Sequence, residues 1–157
     1  MANINLTRVD NRLIHGQVAT NWLRNYDVNI CIVVNDRVSN DAMEQKLLSM
    51  AIANLMPVRF FSVEKTIELL KTADPRRKIA LIVENPIDVW KLVDGGVELK
   101  QCNIGNMHMA DGKEKLFKTV YVSKEEKEAI AKLVAKGVNV EYRLLPTDNA
   151  VDFKTVI

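Results

Sequence analysis

Apolar residues recur along this chain in two alternating rhythms, short β-branched runs and stretches where they return every three or four positions. Runs at Ile4 to Val9, Asn29 to Val34, Val58 to Phe61, Ile79 to Val83, Gln101 to Ile104, Thr119 to Val122 and Val138 to Leu144 have the length and residue types of strands. Between them, Val18, Trp22 and Leu23 give one helical face, and Met43, Leu47, Met50 and Ala51 a second. The alternation predicts an α/β fold: a single domain over residues 1–157, with a mostly parallel open sheet of about seven strands and helices covering both faces.

Local punctuation agrees with this pattern. Asn85-Pro86 reads as an N-cap followed by proline in the first turn, and Gly95-Gly96 as the end of that helix. Ser123-Lys124-Glu125-Glu126 has the spacing of a capping box ahead of Ile130, Leu133 and Val134, with Gly137 at the expected stop. No internal repeat, low-complexity segment or linker interrupts the chain, and the tail from Pro146 is too short to stand alone.

Composition narrows the class of function. A chain of 157 residues is long enough to bury about two-thirds of its unfolded surface without a disulfide or metal. With 22 Lys+Arg against 20 Asp+Glu the net charge is only +2, which removes a broad electrostatic case for nucleic acid. Any anion site must therefore be local. Cys31 lies in an apolar run, and the two cysteines show no metal or redox spacing. No apolar stretch reaches the roughly 20 residues that cross a bilayer, and no signal peptide is evident. The expected setting is the cytoplasm, with membrane contact only through a partner.

In open parallel sheets, ligands bind at the carboxyl ends of strands. Three loops are expected on that rim: Asp10 to His15, the turn Asn35-Asp36-Arg37, and Gly105 to Lys113. The first concentrates the chemistry, since Arg8, Asp10 and Arg12 stand just upstream of His15, with Gly16 and Gln17 directly after it. Imidazole has an unperturbed pKa of about 6.5, so at neutral pH it offers a ring nitrogen for attack on phosphorus. Guanidinium groups suit equatorial phosphoryl oxygens, and a helix starting at Gly16 would add its positive end. Asp10 fits an orienting role better than that of a base. Asn35 and Asp36 read equally as a turn or as support for the site. His108 lacks the further ligands that a metal pair needs.

The segments Arg8 to Val18, Val33-Val34-Asn35-Asp36 and Asn103-Ile104-Gly105-Asn106-Met107-His108 resemble the IIB components of the mannose/fructose/sorbose class of the bacterial phosphoenolpyruvate-dependent sugar phosphotransferase system. The resemblance covers essentially the whole chain. It implies a phosphohistidine–sugar phosphotransferase in which His15 accepts a phosphoryl group from a IIA component and passes it to a sugar held by the membrane components IIC and IID. It carries Arg8, Asp10 and Arg12 into phosphoryl-binding or supporting roles, matches Gly16, Gln17, Asn35 and Asp36 to the motif, and requires neither metal nor cofactor. Which ring nitrogen is used, the sugar and the oligomeric state, a homo-oligomer included, stay open. Many members have two adjacent glycines where this chain has Gly105-Asn106, and Asn106 resembles the N-acetylgalactosamine/galactosamine branch.

Two rival classes make different predictions. A histidine phosphatase or mutase also places His-Gly after its first strand, but with arginine directly before the histidine, where this chain has Ile14. A non-catalytic binding module would not need His15 at all.

Overall fold

The computed structural model describes residues 2–157, the side chains of Gln17 and Val18 excepted. Nine strands and five α-helices follow one another as β1 (Asn3–Asp10), α1 (Gly16–Arg24), β2 (Ile30–Val34), α2 (Ala42–Met50), β3 (Val58–Phe61), α3 (Val63–Leu70), β4 (Lys78–Val83), α4 (Pro86–Asp94), β5 (Gln101–Asn106), β6 (Glu114–Phe117), β7 (Val120–Val122), α5 (Lys124–Ala135), β8 (Asn139–Tyr142) and β9 (Val151–Asp152). Seven of the strands form one sheet in the order β3-β2-β4-β1-β5-β8-β9. Every pairing in it is parallel except β8 with β9.

Strand side chains point alternately to opposite faces, so this sheet separates two apolar cores. Ile30, Ile32 and Val34 of β2 belong to the core that includes Leu70 of α3, Leu92 of α4 and Ile130 and Leu133 of α5. Cys31 and Val33 face the other way, with Leu6, Ala80 and Ile82, against Ala19, Trp22 and Leu23 of α1. Helices therefore lie on both faces, as the periodicity requires. The caps read from the sequence are present: Asn85 accepts from the Asp88 amide with Pro86 in the first turn, and Ser123 and Glu126 form a reciprocal capping box.

Two expectations are corrected. Thr119 to Val122 does not enter the main sheet: β7 pairs antiparallel with β6 and meets the chain just past β5 at a bridge between Met107 and Val120. The seventh position is taken by β9, a two-residue strand from the tail, too short to show any period. The second correction concerns α2, whose Met43, Leu47 and Met50 are 76%, 64% and 70% exposed. Helical spacing says that these residues share a face, not which way the face turns. Here polar anchors turn it outward: Asp41 caps the helix, and Gln45 donates to the Val38 carbonyl at 2.8 Å. Leu48 is the α2 residue that packs inward.

Candidate functional site

Central strand β1 lies between β4 and β5, and the connections leaving β1 and β5 run to opposite sides of the sheet. That makes the β1–β5 edge a switch point, where a crevice opens above the carboxyl ends. The loop after β1 fills it. Asn11 donates its backbone N–H to the Asn106 carbonyl at 3.0 Å, its side-chain amide meets the His108 ring, and a register shift sets Asp10 opposite Asn106. The loops after β1 and β5 therefore converge as expected.

Leu13 adopts a left-handed φ of 61° and is held there by burial and by its amide's 2.9 Å bond to the Asp10 carbonyl. A non-glycine residue in this region is strained, and such strain persists only where the surroundings enforce it. Two residues later the chain extends at His15, the N-cap of α1, whose own side chain makes no capping hydrogen bond. Gly16 then opens the helix at φ 48°, a conformation that favours glycine. A Cβ there would meet open space, so the backbone conformation is what calls for glycine. His15 thus adjoins the electropositive first turn of α1.

Asp10 holds the ring. Its carboxylate accepts the Arg12 amide on one oxygen at 3.0 Å, and its other oxygen lies 3.0 Å from His15 Nε2. An ionised carboxylate only accepts hydrogen bonds, so this contact suits an imidazole with its proton on Nε2 and its lone pair on Nδ1. The His15 side chain is 18% exposed, whereas that of Asp10 is 2% exposed. The imidazole and the carboxylate that holds it therefore differ in access to solvent.

The two arginines, alike in the sequence, occupy different environments. Arg8 and Leu6 share a parity on β1, so Arg8 points under α1, where its guanidinium lies 4.7 Å from the Trp22 ring centre. It is 1% exposed and donates to Asn103 Oδ1 at 2.6 Å and to the Arg143 and Leu144 carbonyls at 3.3 Å each, with Asp10 at 3.6 Å. Loss of water lowers its pKa from 12.5 to about 10, the Asp10 charge pulling the other way, so it is cationic at neutral pH. Arg8 and Arg12, expected alike in phosphoryl-binding or supporting roles, thus differ in exposure. Arg8 supports Asp10 from beneath, because strand parity and the Trp22 cover seal it in, while Arg12 is exposed.

Asn35 and Asp36 are not brought to this constellation. They follow β2, which β4 separates from β1, and their polar atoms are engaged locally. Asn35 accepts from the Val38 amide and donates to Glu84 at 2.7 Å, and Asp36 accepts from the Val63 amide at 2.9 Å. Their role as a turn therefore has a geometric basis, and their expected support of the site does not. The side chain of Gln17 lies outside the described residues. Among the described residues no group of three or more His, Cys, Asp or Glu is placed to hold a metal.

Sequence reading placed Gly105 on the rim and Asn103 in a family motif without giving either a role, and did not single out Trp22 or the Arg143–Leu144 carbonyls. One signal for Asn103 existed, a polar residue between Cys102 and Ile104 in a run with strand character.

Against this geometry the comparisons with known proteins are consistent. A family model described as the PTS system sorbose subfamily IIB component matches residues 4–157. The N-acetylgalactosamine-specific phosphotransferase enzyme IIB component 1 of Escherichia coli (strain K12) is 42% identical over 147 residues, 93% of each chain. The crystal structure of a protein so described from Escherichia coli superposes with a TM-score of 0.91, covering 94% of this chain and 97% of that one at 42% identity. A PTS-dependent N-acetylgalactosamine IIB component from Streptococcus pyogenes gives 0.92 at 35% identity, covering 100% and 99%.

Proposed function

The chain belongs to the sorbose subfamily of phosphotransferase-system IIB components and is a phosphoryl carrier in sugar uptake; from that premise we propose that His15 carries the phosphoryl group on Nδ1. The observation that carries this reading is the 3.0 Å contact of Nε2 with buried Asp10, which leaves Nδ1 as the nucleophilic nitrogen. In the first step the Nδ1 lone pair attacks the phosphorus of a phosphohistidine on a IIA component, and the donor imidazole leaves with its bond pair. In the second, a sugar hydroxyl attacks, its proton passes to solvent, and the N–P bond pair returns to Nδ1. Arg12 and the first-turn amides of α1 supply charge complementarity to the phosphoryl oxygens. Asp10 holds the tautomer and stabilises positive charge that builds on the ring. Positioning and electrostatics do most of the work in phosphoryl transfer, which suits a partly open site that two partners engage in turn.

The membrane components IIC and IID hold the sugar in this reading, and the chain works at the cytoplasmic face of the permease. No helix among the described residues is long and apolar enough to cross a membrane. Identities of 42% and 41% to two N-acetylgalactosamine-specific relatives favour an amino sugar of that class. The test is the mass of the protein after incubation with phosphoenolpyruvate, the general phosphotransferase proteins and a IIA component. One phosphoryl group is gained, His15→Ala abolishes the gain, and discharge to sugar requires membranes containing IIC and IID. Undiminished phosphorylation of His15→Ala would overturn the assignment.

A further inference from the structure

Strand β5 contributes more than a floor to the crevice. Asn103 stands opposite Arg8 in the parallel register, and Gly105, two residues on, shares its parity. A Cβ built on Gly105 would lie 2.2 Å and 2.3 Å from the two terminal nitrogens of Arg8 and 2.5 Å from Cζ. Elsewhere an arginine head would swing aside. Here it is sealed from solvent, bonded to three oxygens and covered by Trp22. The Gly105 backbone is also restrained, because its carbonyl accepts from Thr119 Oγ1 at 2.7 Å. Asn103 adds a separate sign: its Nδ2 is buried with no partner among the described residues. A residue selected for packing alone would not leave a donor unpaired, whereas one selected for the acceptor it offers Arg8 would.

We propose that Gly105 and Asn103 are positioning residues for His15: they form the slot that seats the Arg8 guanidinium, which orients Asp10 and, through Asp10, fixes the tautomer of the imidazole. The relay runs from Asn103 Oδ1 to Arg8 at 2.6 Å, from Arg8 to Asp10 Oδ2 at 3.6 Å and from that oxygen to His15 Nε2 at 3.0 Å. It also accounts for the Gly105-Asn106 pair. The first position needs a glycine because of Arg8, whereas Asn106 has no left-handed φ and bears a side chain without backbone strain. The inference rests on His15 being the phosphoryl carrier.

Nitrogen-15 NMR of the unphosphorylated protein reads the ring tautomer directly, with no donor present. In the wild type His15 is expected as the Nε2–H form. In Gly105→Ala the ring nitrogens should report a mixture of tautomers. The rate of acceptance from a phosphorylated IIA component should fall about tenfold or more, the scale of losing an outer-shell orienting contact, with the KM for the donor unchanged. Asn103→Ala, which removes the acceptor without introducing a clash, should move both readouts in the same direction, and it decides the matter if Gly105→Ala does not fold. A wild-type tautomer in the folded variants, or a wild-type ring that is not Nε2–H, overturns the proposal whatever the rates. A wild-type protein that takes no phosphoryl group on His15 instead sinks the functional reading, and the tautomer result stands apart from it.

Discussion

Arg8 and Arg12 are four positions apart in one motif, yet one is buried beneath a tryptophan and the other exposed. Residue type announced two cations, and only burial distinguishes the support from the group able to reach a ligand. The cysteines are the opposite case, since the apolar run around Cys31 already indicated an inert thiol. Burial pushes both thiols up from 9.0 to about 12, the Glu141 charge adding to the effect at Cys102. The sign follows from proton linkage. Between these values the unfolded chain releases a thiol proton that the folded chain retains, so stability falls as pH rises. Cys31→Ala should therefore lessen that decline by up to about 1.4 kcal/mol per pH unit, as urea denaturation at a series of alkaline pH values will show. Neither thiol should react with an aromatic disulfide reagent until the protein unfolds.

Helices α2 and α5 show how far an element can be read from its own residues. The start of α5 is local chemistry: Ser123 accepts from the Glu126 amide at 3.1 Å, and Glu126 accepts from the Ser123 amide at 2.9 Å. Ser123→Ala should cost about 1 kcal/mol in urea denaturation. In α2 the apolar stripe was legible but its direction was not, because the anchors that turn it outward include a bond from Gln45 to Val38 outside the helix. Leu47→Ser should accordingly change stability by less than about 0.5 kcal/mol, whereas a truncation of buried Leu92 to alanine should cost about 2–5 kcal/mol. Equal costs in the same denaturation assay would show that α2's stripe is covered in solution.

At the scale of the molecule, the short tail closes the sheet. Val151 and Asp152 pair with β8, and Phe153 behind them is fully buried, edge-on to Phe117 with ring centres 5.2 Å apart. Phe117 in turn stacks on Tyr142 at 4.4 Å, so one tail residue ties the β6–β7 hairpin to the sheet edge. Phe153→Ala should cost about 3–5 kcal/mol, seen as a lower urea midpoint at unchanged slope. Seven of the nine strand runs, the caps at Asn85 and Ser123, the α/β class and the motif around His15 were legible in the linear chain. Each depends on residues within a few positions of one another, where periodicity and capping act. The order β3-β2-β4-β1-β5-β8-β9, the outward turn of α2, the capture of β9 and the fate of Arg8 were decided only in three dimensions. They rest on pairings between residues as much as 136 positions apart, and burial and register, unlike period, are properties of the partner that a side chain meets.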